Sequence, residues 1–157
     1  MSEPITVSQA LVFGDLDSCI SFATGVPGYP ITGIMNLLIG SDVDARWSIN
    51  EKVALEAAPG ASATGRRSLV TVKHVGMNIL ADPLITSATH TIGAGLVILT
   101  GDDPGGKQSQ NEQDSRYYGL LAEVPVLDPP GPEAAYNSMR RAFLLSEKVR
   151  TPVIMRL

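Results

Sequence analysis

Apolar and polar positions along the chain follow two rhythms that take turns. Ile34, Leu37 and Leu38 recur at helical spacing and predict a helix over Ile31–Ile39. Leu96-Val97-Ile98-Leu99-Thr100 is an unbroken apolar, β-branched run, the pattern of a strand buried on both faces. Ser68–Lys73 reads the same way. Around these, the pattern predicts a helix over Gln9–Ser18 with Ser8 as its N-cap and a strand at Ile20–Ala23. A strand at Ala45–Ile49 runs directly into a helix over Glu51–Thr64, closed by Gly65. Gly76–Thr89 is helical, with Pro83 placed awkwardly inside it. A polar loop, Gly101–Gln113, leads to a short helix at Ser115–Leu121 and a strand at Val124–Leu127. Pro132 opens a helix that runs to Val149, and Pro152–Arg156 is the last strand.

Six strands alternating with helices define an α/β fold, a mostly parallel six-stranded sheet with helices on both faces. A length of 157 residues is that of one domain, 1–157, able to bury its own core. In such a sheet ligands bind beyond the carboxyl ends of the strands. Four loops are expected to converge there: Thr24–Pro30, Asn50–Glu51, Lys73–Asn78 and Gly101–Gln113.

Composition narrows the function classes. The net charge of −4, with no basic run, argues against nucleic acid or an anionic membrane as partner. A lone cysteine, Cys19, precludes an internal disulfide and an iron–sulfur cluster held by this chain alone. No apolar run reaches the roughly 18 residues of a membrane helix. Met1-Ser2-Glu3-Pro4 has neither a basic nor an apolar leader segment, so the expected location is cytoplasmic. No metal site is expected in this chain.

Candidate chemistry sits in the four loops. Glu51 opens a helix, where the helix dipole alone favours an acid by roughly 0.3–1 kcal/mol. Thr24-Gly25-Val26-Pro27-Gly28-Tyr29-Pro30 is either a plain turn or a place where Gly25 and Gly28 let backbone approach a flat ring. His74, between Lys73 and Asn78, is either a satisfied strand-end histidine or a substrate-facing group. Gln110-Asn111-Glu112-Gln113-Asp114-Ser115-Arg116 is by itself a solvated loop entering a helix.

Taken together, the strand–Glu51–helix junction, the Gly-Val-Pro-Gly turn, Lys73-His74-Val75-Gly76-Met77-Asn78 and the Gln110–Arg116 run resemble one family. It is the pyrimidine-binding (PYR) domain of thiamine-diphosphate enzymes, and most nearly the large subunit of indolepyruvate ferredoxin oxidoreductase. The resemblance spans about Leu11 to Arg156. It implies that Glu51 hydrogen-bonds N1′ of the cofactor's aminopyrimidine and so activates it, with His74 as a second catalytic candidate. Gly25, Val26, Pro27, Gly28, Asn78 and Gln113 are the implied cofactor contacts, and Lys73, His74 and Asn111 the implied substrate contacts. Lys73 and His74 suit the carboxylate that every 2-oxo acid carries.

The family's magnesium and diphosphate motif, Gly-Asp-Gly followed downstream by Asn, is absent from the sequence. Thiamine diphosphate would therefore be shared with a diphosphate-binding (PP) subunit that holds Mg²⁺, with any iron–sulfur clusters on another chain. The implied activity is decarboxylation of a 2-oxo acid, with electrons passed to ferredoxin through a partner. Two alternatives stand beside it: a two-chain non-oxidative decarboxylase of the sulfopyruvate type, and a non-catalytic module that keeps the fold. A homodimer within a hetero-oligomer is expected, with the Ala/Gly-rich helix after Glu51, at Ala61 in particular, at the interface. A chain only 5% aromatic favours a small or doubly anionic 2-oxo acid over an aryl one. One departure is Pro59, which is expected to kink that helix two turns beyond Glu51.

Overall fold

A computed structural model describes residues 4–157. The first three residues, on which the reading of the N-terminus partly rests, lie outside the described residues. Six strands form a single sheet in the order β2-β1-β3-β4-β6-β5, and every pairing is parallel. The strands are β1 (Phe22–Gly25), β2 (Asp44–Trp47), β3 (Ser68–Lys73), β4 (Leu96–Gly101), β5 (Val126–Leu127) and β6 (Val153–Arg156). Between and around them run α1 (Val7–Asp17), α2 (Thr32–Ile39), α3 (Glu51–Ala63), α4 (His74–His90), α5 (Arg116–Ala122) and α6 (Pro132–Val149).

The sheet separates two cores because successive side chains of a strand point to opposite faces. Ala23, Leu69, Val97, Leu99 and Met155 pack with α1, α2 and α6 on one face. Phe22, Val70, Val72, Ile98 and Ile154 pack with α3, α4 and α5 on the other. Both faces are covered, which explains why β3 and β4 read as continuous apolar runs rather than as alternating ones. Among the described residues no helix is long and apolar enough to cross a membrane.

Boundaries moved where capping chemistry decides them. The N-cap of α1 is Thr6, not Ser8: Thr6 Oγ1 accepts from the Gln9 amide at 3.2 Å, and Gln9 Oε1 accepts from the Thr6 amide at 2.9 Å. This reciprocal box satisfies two helix-end donors at once, which Ser8 has no partner to do. β1 starts at Phe22 rather than Ile20, because the chain first leaves α1 through Cys19 at φ 54, and the Ile20 amide still donates to Asp15 O. β2 ends at Trp47, and Ile49 lies 88% exposed beyond it. α4 begins at His74, so the expected loop up to Asn78 is its first turn. Pro59 and Pro83 both lie within helices that run through them, held by buried faces against the sheet. Ala61 packs against its own core, so it does not probe an interface; on the same helix Ala57 and Ala63 are exposed.

Candidate functional site

The sheet order creates one obvious place for a ligand. From β1 the chain passes through α2 to β2 on one side; α3 then carries it to β3 on the other. α2 and α3 cover opposite faces, so a crevice opens between the carboxyl ends of β1 and β3, the switch point of an open α/β sheet. A cleft of about 690 Å³ lies there, lined by Pro27 and Gly28 after β1, Glu51 at the start of α3, Lys73 at the end of β3, and the Lys107–Gln110 stretch.

Glu51 is set by its predecessor. Asn50, at φ −160, caps α3 by accepting from the Val53 amide at 2.9 Å, which makes Glu51 the first helical residue. Its side chain is half-buried. The neighbouring Lys52 turns away to Asp82 at 2.8 Å and Glu56 at 3.8 Å, leaving Glu51 with no cation among the described residues. Gly28 lies against the stem of Lys73: a Cβ on it would come within 3.2 Å of Lys73 Cβ. Gly25 is held for a different reason, since a Cβ there would sit 2.2 Å from Thr71 O in the adjacent strand. Val26 continues the pairing, its amide donating to Thr71 O at 3.2 Å.

The remaining predicted residues are drawn together by the loop after β4. Lys73 Nζ donates to Gln108 O at 2.7 Å. His74 is fully buried beneath the loop, with Nε2 3.1 Å from Asn111 O and Nδ1 3.4 Å from Gly101 O. In this geometry the imidazole meets carbonyls of its own chain and does not line the cleft, contrary to the expectation of a substrate-facing group. The reason is the early start of α4: as its first residue, His74 turns inward while Lys73 remains at the strand end. Asn111 contributes its backbone oxygen, and its side chain is exposed. Asn78 and Gln113 bond each other reciprocally at 3.2 and 3.3 Å, and the Tyr118 hydroxyl donates to Asn78 Oδ1. They form a separate cluster beside a second cleft of about 490 Å³ against Tyr117, Tyr118 and Leu121 of α5.

The base of the loop is anchored electrostatically. Asp103 Oδ2 accepts from the Gln108 amide at 2.7 Å and the Ser109 hydroxyl at 2.5 Å. These bonds, the Ser109 one foremost, hold its carboxyl below the usual range. Asp102, buried, takes Arg156 Nε at 2.7 Å and the amide and hydroxyl of Ser115. Sequence reasoning missed Lys107, Ser109 and Gly76. Lys107 and Ser109 lie in a stretch whose composition is that of any polar loop. Gly76 was visible only as one letter of a motif.

The structure superimposes with a TM-score of 0.81 on the 2-oxoglutarate:ferredoxin oxidoreductase from Magnetococcus marinus, over 97% of this chain and 28% of that one. At 16% identity this likeness concerns the fold. No protein-family model matches the chain. Individual relatives do: it is 42% identical over 153 residues to indolepyruvate oxidoreductase subunit IorA of Methanothermobacter marburgensis. The same subunit of Archaeoglobus fulgidus is 39% identical over 157 residues, and that of Thermococcus kodakarensis 38% over 153. The resemblance drawn from Glu51, Lys73–Asn78 and Gln110–Arg116 therefore extends over 95% of the chain, while the chain spans about a quarter of these curated relatives' length.

Proposed function

We propose that this chain is the pyrimidine-binding part of a thiamine-diphosphate-dependent 2-oxo acid oxidoreductase that passes electrons to ferredoxin. The observation that carries this reading is Glu51, half-buried and unpaired among the described residues, at the lip of the switch-point cleft. The cleft also offers the backbone of Pro27 and Gly28, and room for a flat ring. These residues fit the aminopyrimidine end of the cofactor. The cleft offers a single carboxylate and no ligand set for the metal that accompanies the diphosphate, whose place is a partner PP subunit. Iron–sulfur clusters belong to another chain of the assembly, in which this chain pairs with a copy of itself.

Bound thiamine diphosphate would supply the electron sink on which a 2-oxo acid loses carbon dioxide. Glu51 would hold the aminopyrimidine end and share a proton with it, a task for which a carboxyl is suited because it donates when protonated and accepts when ionised. Lys73, with its ammonium at the cleft wall, pairs with the substrate carboxylate. The relatives' name puts indolepyruvate first among substrates to try. The cleft residues from this chain include no aromatic side chain, which favours a small or doubly anionic acid unless a partner provides the aromatic wall.

Glu51→Gln in the assembled holoenzyme tests the reading. The fold and most cofactor binding are expected to persist, and turnover to fall by roughly 10²–10⁴, the range for a positioned acid or base. Wild-type turnover in this variant would return Glu51 to a helix-start acid.

A further inference from the structure

The first turn of α4 faces Glu51 through a residue with no side chain. A Cβ added to Gly76 would lie 2.6 Å from Glu51 Cγ, 2.7 Å from Oε1 and 3.0 Å from Cδ. All three of its nearest neighbours belong to that one carboxylate arm. Other tight glycines meet something else. Gly93 would strike Ser62 O at 2.3 Å, and Gly95 would strike Phe143 O at 2.9 Å; both are backbone obstacles that demand glycine for packing. Gly76 also has no need of glycine on conformational grounds: it lies within a helix and is absent from the positive-φ residues. In a helical position alanine is the better helix former. The atoms that crowd a side chain at 76 most closely are those of the Glu51 arm.

We propose that Gly76 is a positioning residue for Glu51: the gap it leaves is the seat that fixes the carboxylate at the cleft. This rests on the reading of Glu51 as the group that engages the aminopyrimidine. The obstacle is a flexible side chain rather than backbone, so a methyl group at 76 displaces Glu51 without unfolding the chain. Val75, the residue before, lines the same cleft, so the first turn of α4 lies alongside Glu51 where the ring would enter. Pushed off its seat, the carboxylate moves out of register with the ring nitrogen it serves. A displacement of about 1 Å is enough to lower turnover about 10²-fold.

The experiment is Gly76→Ala, alone and combined with Glu51→Gln, in the assembled holoenzyme. Gly76→Ala is expected to keep the wild-type melting temperature or raise it. It is expected to lower kcat about 10²-fold with KM for the 2-oxo acid nearly unchanged. The rate of deuterium exchange at C2 of bound thiamine diphosphate should fall by the same factor. The pair should be no slower than Glu51→Gln alone, since both act through one carboxylate. A crystal structure of Gly76→Ala without cofactor gives a readout independent of activity: the Glu51 carboxylate should have left its wild-type position. A slow Glu51→Gln beside a wild-type Gly76→Ala overturns the seat and leaves the function standing. Wild-type turnover in Glu51→Gln overturns the functional reading itself. A Gly76→Ala structure with Glu51 unmoved overturns the proposal whatever the kinetics.

Discussion

Asp15 offers the sharpest test of how the fold is held. Its side chain is completely buried on α1, and neither carboxylate oxygen has a hydrogen-bond partner. Burial pushes its pKa well above the ordinary carboxylate value. Asp15→Ala removes two orphaned acceptors, worth about 1–3 kcal/mol, and gains up to about 0.7 kcal/mol of helix propensity. Against this stands the space vacated by a carboxyl group, roughly 30 Å³, at ~24 cal/mol per Å³ or about 0.7 kcal/mol. The net expectation at pH 7 is a gain of about 1–3 kcal/mol, or several degrees in Tm at about 2–4 °C per kcal/mol for a chain of this size. The pH dependence fixes the mechanism. Because the folded pKa lies above the unfolded one, wild-type stability from this group is intact below the unfolded value near 3.9. It declines as pH rises through the folded value, since the unfolded chain releases the proton first. The advantage of Asp15→Ala should therefore widen from pH 4 to pH 7. Urea melts of both proteins at several pH values measure it. A loss of stability at pH 7, or a gap independent of pH, would refute the argument by showing that the carboxyl is solvated or paired.

Two further outcomes are expected. Glu147 accepts from Arg67 at 2.7 and 2.8 Å and from the Gly95 amide at 3.2 Å, and the Arg67 bonds hold its carboxyl below the ordinary range. Glu147→Gln should cost about 1.5–3 kcal/mol at pH 7, and the difference from wild type should vanish as pH falls through the lowered folded value, since that stability exists only above the unfolded one; urea melts at pH 3 and 7 decide it. His74→Ala should leave the sheet intact but free the Asn111 carbonyl at a cost of about 1–3 kcal/mol. Amide hydrogen exchange should then quicken across residues 102–113, and unchanged protection there would mean the imidazole does not hold the loop.

Much of the fold was legible because the sheet is covered on both faces. β3 and β4 are buried along almost their whole length and mostly apolar, and no helical segment of similar composition is so short and β-branched. The edges were harder. β2 has no fully buried residue and β5 only two half-buried ones, so burial leaves a faint trace there and three of their four ends slid by one or two positions. The start of α1 differs from expectation because by type Ser8 is at least as good a cap as Thr6. Only the partner three residues on, Gln9, distinguishes them, and that requires reading the box as a unit. Buried Asp15 left no trace either: from sequence it is one polar residue on a helix otherwise expected to show some to solvent.

The site was legible to a different degree in each of its parts, and the division follows the range of the contacts. Glu51 could be placed because everything that positions it is local: Asn50 caps, the helix begins, and the strand before it ends at the sheet's carboxyl edge. Gly25 and Gly28 were expected to let backbone approach a flat ring; the neighbours the fold sets against them are Thr71 and Lys73, about 45 residues away in sequence and adjacent only through the parallel pairing of β1 with β3. Lys73, His74 and Asn78 lie within six residues, and the structure gives them three different roles: one at the cleft, one beneath the loop, one on the side of α5. Their separation follows from α4 beginning at His74: Lys73 stays at the strand end, while His74 and Asn78, four apart, share a helix face but sit one turn apart, so His74 meets the loop at Asn111 and Asn78 meets Gln113 and Tyr118. Gly76 went unseen for the converse reason. Its meaning is the absence of a side chain opposite a carboxylate on another helix, and an absence acquires a role only once the two helices are set side by side.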